Sequence, residues 1–237
     1  MSLRFICLSD MISIMQPTYL PWAGYFNLIY RSDHFVFLDD VKVEKSSWHV
    51  RNRVLENGNV VFLTLNIKGS RLNLINEVII DENSQWRKKH IIRLRQAYAK
   101  TQYGNSVIEL LSPIYEDKNI VSLSQLNQTI IKSIMVRLGI DTKVYLSSEL
   151  NIDGKRSERL LAICNHFSET HYLSPEGSRD YITEDGVLEE NKITVEYQSY
   201  TPAIYSQYRT SEFFSHLSII DVISNIGWEK TFDYIKG

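Results

Sequence analysis

Cysteine is almost missing from this chain. Two residues, Cys7 and Cys164, stand far apart among 237 and make no C-x-x-C or other metal-ligand spacing. That excludes a disulfide-built scaffold and a zinc module, and it marks both thiols as ordinary core cysteines of an intracellular protein. A charge excess is missing too, with 26 basic residues against 28 acidic ones and a net charge of -2. Apart from Lys88-Lys89-His90 and the pair Arg93 and Arg95, the cations are scattered, which argues against a dedicated nucleic-acid surface. No apolar run approaches the length that spans a bilayer, and the opening Met1 to Asp10, interrupted by Arg4 and Asp10, is too short in apolar character for a secretory signal. The expectation is a cytoplasmic protein without a transmembrane segment. Met1 to Asp10 is then an extension or a misplaced start, and residues 11–237 form one domain, long enough to bury a full core unaided.

Proline is scarce as well, at five residues, yet two of the five bracket one loop. In Met15-Gln-Pro-Thr-Tyr-Leu-Pro-Trp-Ala-Gly-Tyr-Phe-Asn-Leu-Ile29, the apolar run of Ile12, Ile14 and Met15 predicts a buried parallel strand. Pro17 and Pro21 hold Gln16 to Leu20 extended and non-helical. A helix follows from about Trp22, with Gly24 placed for close backbone approach. A strand end, a rigid loop and the free N–H groups of a helix start make a site for a phosphate or carboxylate. The same residues also describe a plain rigid connection, and the spacing alone does not separate the two.

The rest of the chain alternates. His34 to Leu38 predicts a second strand ending in Asp39-Asp40, and Val50 to Leu55 pairs as a hairpin with Val60 to Ile67 across Asn57-Gly58. Glu77 to Ile80 forms a further short strand. Ser84 caps a helix to about Lys100, and helices over Val107 to Tyr115 and Ser122 to Leu138 follow, the last stopping at Gly139. Strands at Lys143 to Leu146, His171 to Leu173 and Ile193 to Gln198 alternate with helices at Ser157 to Phe167 and Leu217 to Asn225. This order predicts an α/β fold with a Rossmann-like parallel sheet and a helical insert at about residues 84–139.

Asp39 and Asp40 follow an apolar strand, where acids serve metal binding or acid/base chemistry, or simply cap a turn. In Trp48-His-Val-Arg-Asn-Arg53, alternation points Arg51 and Arg53 the same way, as two planar forks for an anion or as solvated charges on an exposed strand. His90, beside Lys89 on an amphipathic helix, is a minor candidate, since a lone helical histidine is more often packed than catalytic. Cys164 and His166 face different ways on their helix and form no reactive pair. The segment Ser174-Pro-Glu-Gly-Ser-Arg-Asp-Tyr181 reads as a loop in which Gly177 permits close approach and Ser174 and Tyr181 supply polar contacts, or as a plain turn.

Taken together, Gln16-Pro17, Leu20-Pro21, Gly24-Tyr25-Phe26, Asp39-Asp40-Val41, Trp48 with Arg51-Asn52-Arg53, the Trp86 to Tyr98 helix, Tyr172-Leu173-Ser174 with Gly177 and Tyr181, and Leu217 to Asp221 resemble the WbqC-like family, in collinear order over roughly Met11 to Gly227. The resemblance implies a bacterial cytoplasmic protein of surface-polysaccharide (O-antigen) assembly, with a glycine, aminoacyl or acyl transfer to a nucleotide- or lipid-linked sugar as its activity. Its partners are then a sugar nucleotide or an activated sugar or acyl donor, and other polysaccharide-assembly enzymes. Asn66 in place of a strand-closing proline, and Ser174-Pro175-Glu176 in place of a glycine-rich turn, depart from the family pattern. Trp22-Ala-Gly-Tyr25 also resembles the His-x-Gly-His segment of nucleotidylyltransferase-like enzymes, with Trp22 and Tyr25 at the two histidine positions. On these grounds Asp40 or Asp221 is the expected base and Tyr25 a hydrogen-bond donor. Gln16, Pro17, Tyr19, Trp22, Gly24, Asp39, Trp48, Arg51, Asn52, Arg53, Lys89, His90, Ser174, Gly177 and Tyr181 are the expected ligand contacts. No metal or cofactor is assigned. The alternatives are a non-catalytic sugar-nucleotide binder or assembly partner, and an adenylate-forming enzyme.

Overall fold

The computed structural model describes residues 10–44, 46–68 and 73–237. Cys7 and the extension expected over residues 1–9 lie outside the described residues. The chain opens as β1 (Met11–Met15), α1 (Ala23–Arg31) and β2 (His34–Phe37), followed by the hairpin β3 (Arg51–Glu56) and β4 (Asn59–Thr64) and the short pair β5 (Ile67–Lys68) and β6 (Ile79–Ile80). Helices α2 (Trp86–Tyr98), α3 (Gly104–Glu116) and α4 (Leu123–Leu138) come next. Then follow β7 (Lys143–Leu146), α5 (Ser147–Leu150), α6 (Arg156–His166), β8 (His171–Ser174), α7 (Arg179–Asp185), α8 (Val187–Glu190), β9 (Thr194–Tyr197), α9 (Ile219–Ile226) and α10 (Trp228–Lys236).

Five strands form one parallel sheet in the order β7-β2-β1-β8-β9. Both of its faces are covered, which is why its strands read as continuous apolar runs. The period-2 alternation divides them: Phe35, Phe37 and Leu173 join the larger core with α1, α3, α4 and α9, while Ile12, Ile14, Val36 and Tyr172 pack on the other face against Leu160, Ile163 and Cys164 of α6. Burial pushes the Cys164 thiol up to about 12, as befits an inert core cysteine. The chain runs from β1 outward through β2 to β7, then returns to the opposite side of β1 for β8 and β9. The connections therefore diverge between β1 and β8, and a crevice opens outside the carboxyl ends of those strands.

Local chemistry sets the element ends. Ser122 accepts the Gln125 N–H at 3.1 Å to start α4, and Gly139, at φ 73°, ends it. Ser84 does not cap α2. It belongs to a preceding tight turn, where its hydroxyl donates to the Asp81 carbonyl at 2.6 Å, and Gln85 in the left-handed region (φ 53°) leads into the helix. Pro175 to Tyr181 is not a loop either, because Glu176 to Ser178 turn directly into α7. Leu20 is left-handed (φ 45°) rather than extended, although it precedes Pro21. Such strain persists where the surroundings over-determine it: the Tyr19 N–H donates to the Trp48 carbonyl at 2.9 Å, Asn52 Nδ2 to the Tyr19 carbonyl at 3.1 Å, and Asn127 Nδ2 to the Pro17 carbonyl at 3.0 Å.

Candidate functional site

Two adjoining cavities occupy the crevice. The smaller, of about 260 Å³, is bounded by Met15 at the end of β1, Trp22 and Tyr25 at the start of α1, Trp48, Arg53 on β3, and His216. The larger, of about 580 Å³, shares Met15, Trp22, Tyr25 and His216 and extends past Pro175-Glu176-Gly177 after β8 and Gln198 to Thr201 after β9. A third and wider groove, of about 800 Å³, lies among α3, α4 and α10. It sits at the carboxyl end of α4, which feeds the amino end of β7, so it is remote from the strand ends where ligands of open α/β sheets bind.

Trp22 forms the wall shared by the two cavities. Its indole packs 4.7 Å from the His216 ring and edge-on to Tyr200 at 5.6 Å. Gly24 is required because a Cβ there would lie 2.1 Å from the Trp22 ring. The close approach expected at Gly24 is thus to an indole of its own helix start and not to neighbouring backbone. Arg53 is fixed by donating through Nη2 to the carbonyls of Ser215 (3.3 Å) and His216 (2.9 Å), and its guanidinium lies 5.8 Å from the Trp48 ring. Its buried Nε finds no hydrogen-bond partner among the described residues. His216 adopts φ 57°, and burial, aided by the Arg53 charge, lowers its pKa, so its imidazole is neutral at pH 7.

Other expected residues are placed elsewhere or occupied. Arg51 lies over Phe62 at 4.5 Å and does not line either cavity, so no twin-arginine fork forms. Asp40 pairs with Arg159 and accepts the Ser147 hydroxyl, while buried Asp39 accepts the Ser148 N–H at 3.1 Å and its hydroxyl at 3.0 Å. The two acids hold the start of α5, the turn-capping role of acids after a strand. Asp221 is fully buried and accepts from Tyr205 at 2.6 Å and Gln207 at 3.2 Å. Burial raises its pKa, and it anchors the segment over residues 198–216 rather than facing the crevice. The expectation of Asp40 or Asp221 as the base is corrected accordingly. Tyr25 is in place, but its hydroxyl already donates to the Gln16 carbonyl at 2.9 Å.

His90 is also internal. Its Nε2 lies 3.2 Å from the Thr64 carbonyl and must carry the proton, so Nδ1 accepts the Tyr19 hydroxyl at 2.8 Å, and Tyr19 in turn bonds Tyr115. Burial lowers its pKa to about 4. Lys89 beside it is exposed. Asn52 lines the smaller cavity, with its amide engaged by the Tyr19 carbonyl and the Arg53 N–H at 2.8 Å. Ser174 is buried, with its hydroxyl 3.2 Å from the Pro175 carbonyl, and Tyr181 lies within α7 with the Arg156 guanidinium over its ring. Gly177 does line the larger cavity, but a Cβ there would meet no atom of the described residues within 4 Å, so it faces open space and not a close backbone. His216, Tyr200, Gln198 and Glu176 were not read from the sequence as site residues. His216 and Tyr200 lie in irregular segments without motif or period, Gln198 closes a predicted strand and Glu176 lies in the segment read for its neighbours, and only the tertiary fold brings the four to Trp22. Among the described residues no group of three or more His, Cys, Asp or Glu could hold a metal ion, and no helix is long and apolar enough to cross a membrane.

A five-stranded parallel sheet with helices on both faces and an aromatic crevice at its switch point defines an α/β protein of the open parallel-sheet class. The model of the WbqC-like protein family matches residues 16–232, and the chain belongs to that family. It is 31% identical over 229 residues to an uncharacterized protein of Mycobacterium tuberculosis, an alignment covering 95% of this chain and 97% of the relative. No solved structure matches it.

Proposed function

We propose that this protein is a transferase that holds a nucleotide-linked or otherwise activated sugar in the paired cavities and places an acyl or aminoacyl group on it. The observation that carries the reading is the wall formed by Trp22, Trp48 and Tyr200 around the fixed Arg53 guanidinium and the His216 imidazole. Aromatic faces suit the apolar faces of sugar and nucleobase rings, and a guanidinium suits a phosphate. The family resemblance supports a setting in surface-polysaccharide assembly.

His216 replaces Asp40 and Asp221 as the base. Its neutral imidazole takes the proton from an acceptor hydroxyl or amine as that atom attacks the carbonyl carbon of an activated acyl donor, whose leaving group departs. The test is turnover by mass spectrometry with hexose nucleotides and activated acyl or aminoacyl donors. His216→Asn should lower kcat by about 100-fold or more while binding persists, in the range of a lost general base. Equal turnover in this variant contradicts the assignment. A second reading, a non-catalytic sugar-nucleotide binder, draws support from the internal engagement of both acids, and it prevails if the sugar nucleotide binds and no donor yields product.

A further inference from the structure

The two cavities differ in chemistry, and the difference has a direction. The smaller is walled by Met15, Trp22, Tyr25 and Trp48 and carries the Arg53 cation. The larger carries the Glu176 carboxylate, the hydroxyl residues Ser199 and Thr201, and the open flank of Gly177. An anionic phosphate is drawn toward Arg53 and repelled from Glu176, whereas a carboxylate and hydroxyl groups are natural partners for sugar hydroxyls. Arg179 offsets part of the Glu176 charge, bonding it at 2.6 and 2.8 Å, but Arg179 itself lies over Tyr197 and does not line the cavity.

From this polarity we infer the orientation of the substrate: a nucleoside diphosphate sugar lies with its base against Trp48 in the smaller cavity, its phosphates at the junction beside Arg53 and His216, and its sugar in the larger cavity over Gly177. The inference rests on the sugar-nucleotide reading and adds the end from which each part is recognised. Arg53 lines the smaller cavity next to the shared His216, and it suits the phosphates there because two backbone carbonyls already hold it, so little side-chain freedom is lost when an anion arrives. Trp48 is 49% exposed, so its ring is available to a base without displacing core side chains. In this orientation the sugar, and not the base, lies beside His216 on the larger cavity's side, where a group would be transferred.

Calorimetric titration with UDP, dTDP and GDP and with their hexose conjugates tests the orientation on the full chain. For the nucleotide that binds, Trp48→Ala should weaken the free nucleotide and its conjugate alike, by about tenfold or more, the usual worth of one base–aromatic stack. Gly177→Phe, which fills open space and not packed core, should weaken the conjugate by a similar factor and leave the free nucleotide within about twofold. On the unaltered protein, the Gly177 amide resonance should shift with the conjugate and stay still with the free nucleotide. That measurement needs no variant to fold. A Trp48→Ala effect confined to the conjugate, or a Gly177 response to the free nucleotide, overturns the orientation while leaving the sugar-nucleotide reading standing. If no member of the panel binds the parent protein, it is the sugar-nucleotide reading that fails, and the orientation with it.

Discussion

The hydrogen that serves as the side chain of Gly24 keeps the Trp22 indole folded against α1, and through it the shape of both cavities. Gly24→Ala should drive the ring outward, lower stability by about 1–3 kcal/mol as overpacking does, and abolish ligand binding. A thermal melt with tryptophan fluorescence checks it, and an unshifted melt with normal binding contradicts it. His90 carries a different prediction. Its folded pKa of about 4 lies below the ordinary 6.5, so the unfolded chain takes up the proton first. Its contribution is therefore full above about pH 6.5 and is lost as pH falls toward 4, about 3 kcal/mol in all by linkage. Urea unfolding at pH 7 and at pH 4.5 should show a smaller loss in His90→Gln than in the parent, and equal losses contradict the neutral histidine. Both residues stood out in the sequence, Gly24 through its loop and His90 through its helix. What they touch did not, because an indole two residues away and a tyrosine 71 positions away leave no local pattern.

At the scale of elements, the irregular segment over residues 198–216 closes one side of the crevice, and buried Gln207 ties Phe214 within it to Asp221. Gln207 accepts the Phe214 N–H at 2.8 Å and donates to the Phe214 carbonyl at 2.9 Å and to Asp221. Gln207→Leu should cost about 1–3 kcal/mol through the polar groups left unpaired, raise hydrogen exchange over residues 208–216, and weaken ligand binding through His216. Exchange unchanged in that segment removes the anchoring role. Periodic elements such as α4 and the β3–β4 hairpin were legible because burial on one face imposes a period and Asn57-Gly58 marks the turn. The closing segment was not, since its order comes from Asp221, Gln207 and Arg53 across the fold. Asp40 and Asp221 were misread for the same reason: an acid beside an apolar element looks identical in sequence whether it faces a cavity or secures a neighbouring turn.

For the whole molecule, the alternation of strands and helices was enough to predict a parallel sheet, yet not its order. The return of β8 to the far side of β1 depends on long-range pairing, and that return creates the crevice. On the proposed function the ligand lies there and not in the larger groove beside α10. The four tryptophans distinguish the two sites in one spectrum of indole N–H signals. Trp22 and Trp48 line the crevice, Trp228 lines the groove and donates to Ser106 at 2.9 Å, and Trp86 is buried with its N–H 3.2 Å from Glu82. Titration with the nucleotide sugar that binds should move the Trp22 and Trp48 signals while Trp86 and Trp228 stay fixed. A shift of Trp228 with Trp22 and Trp48 unmoved would contradict the account.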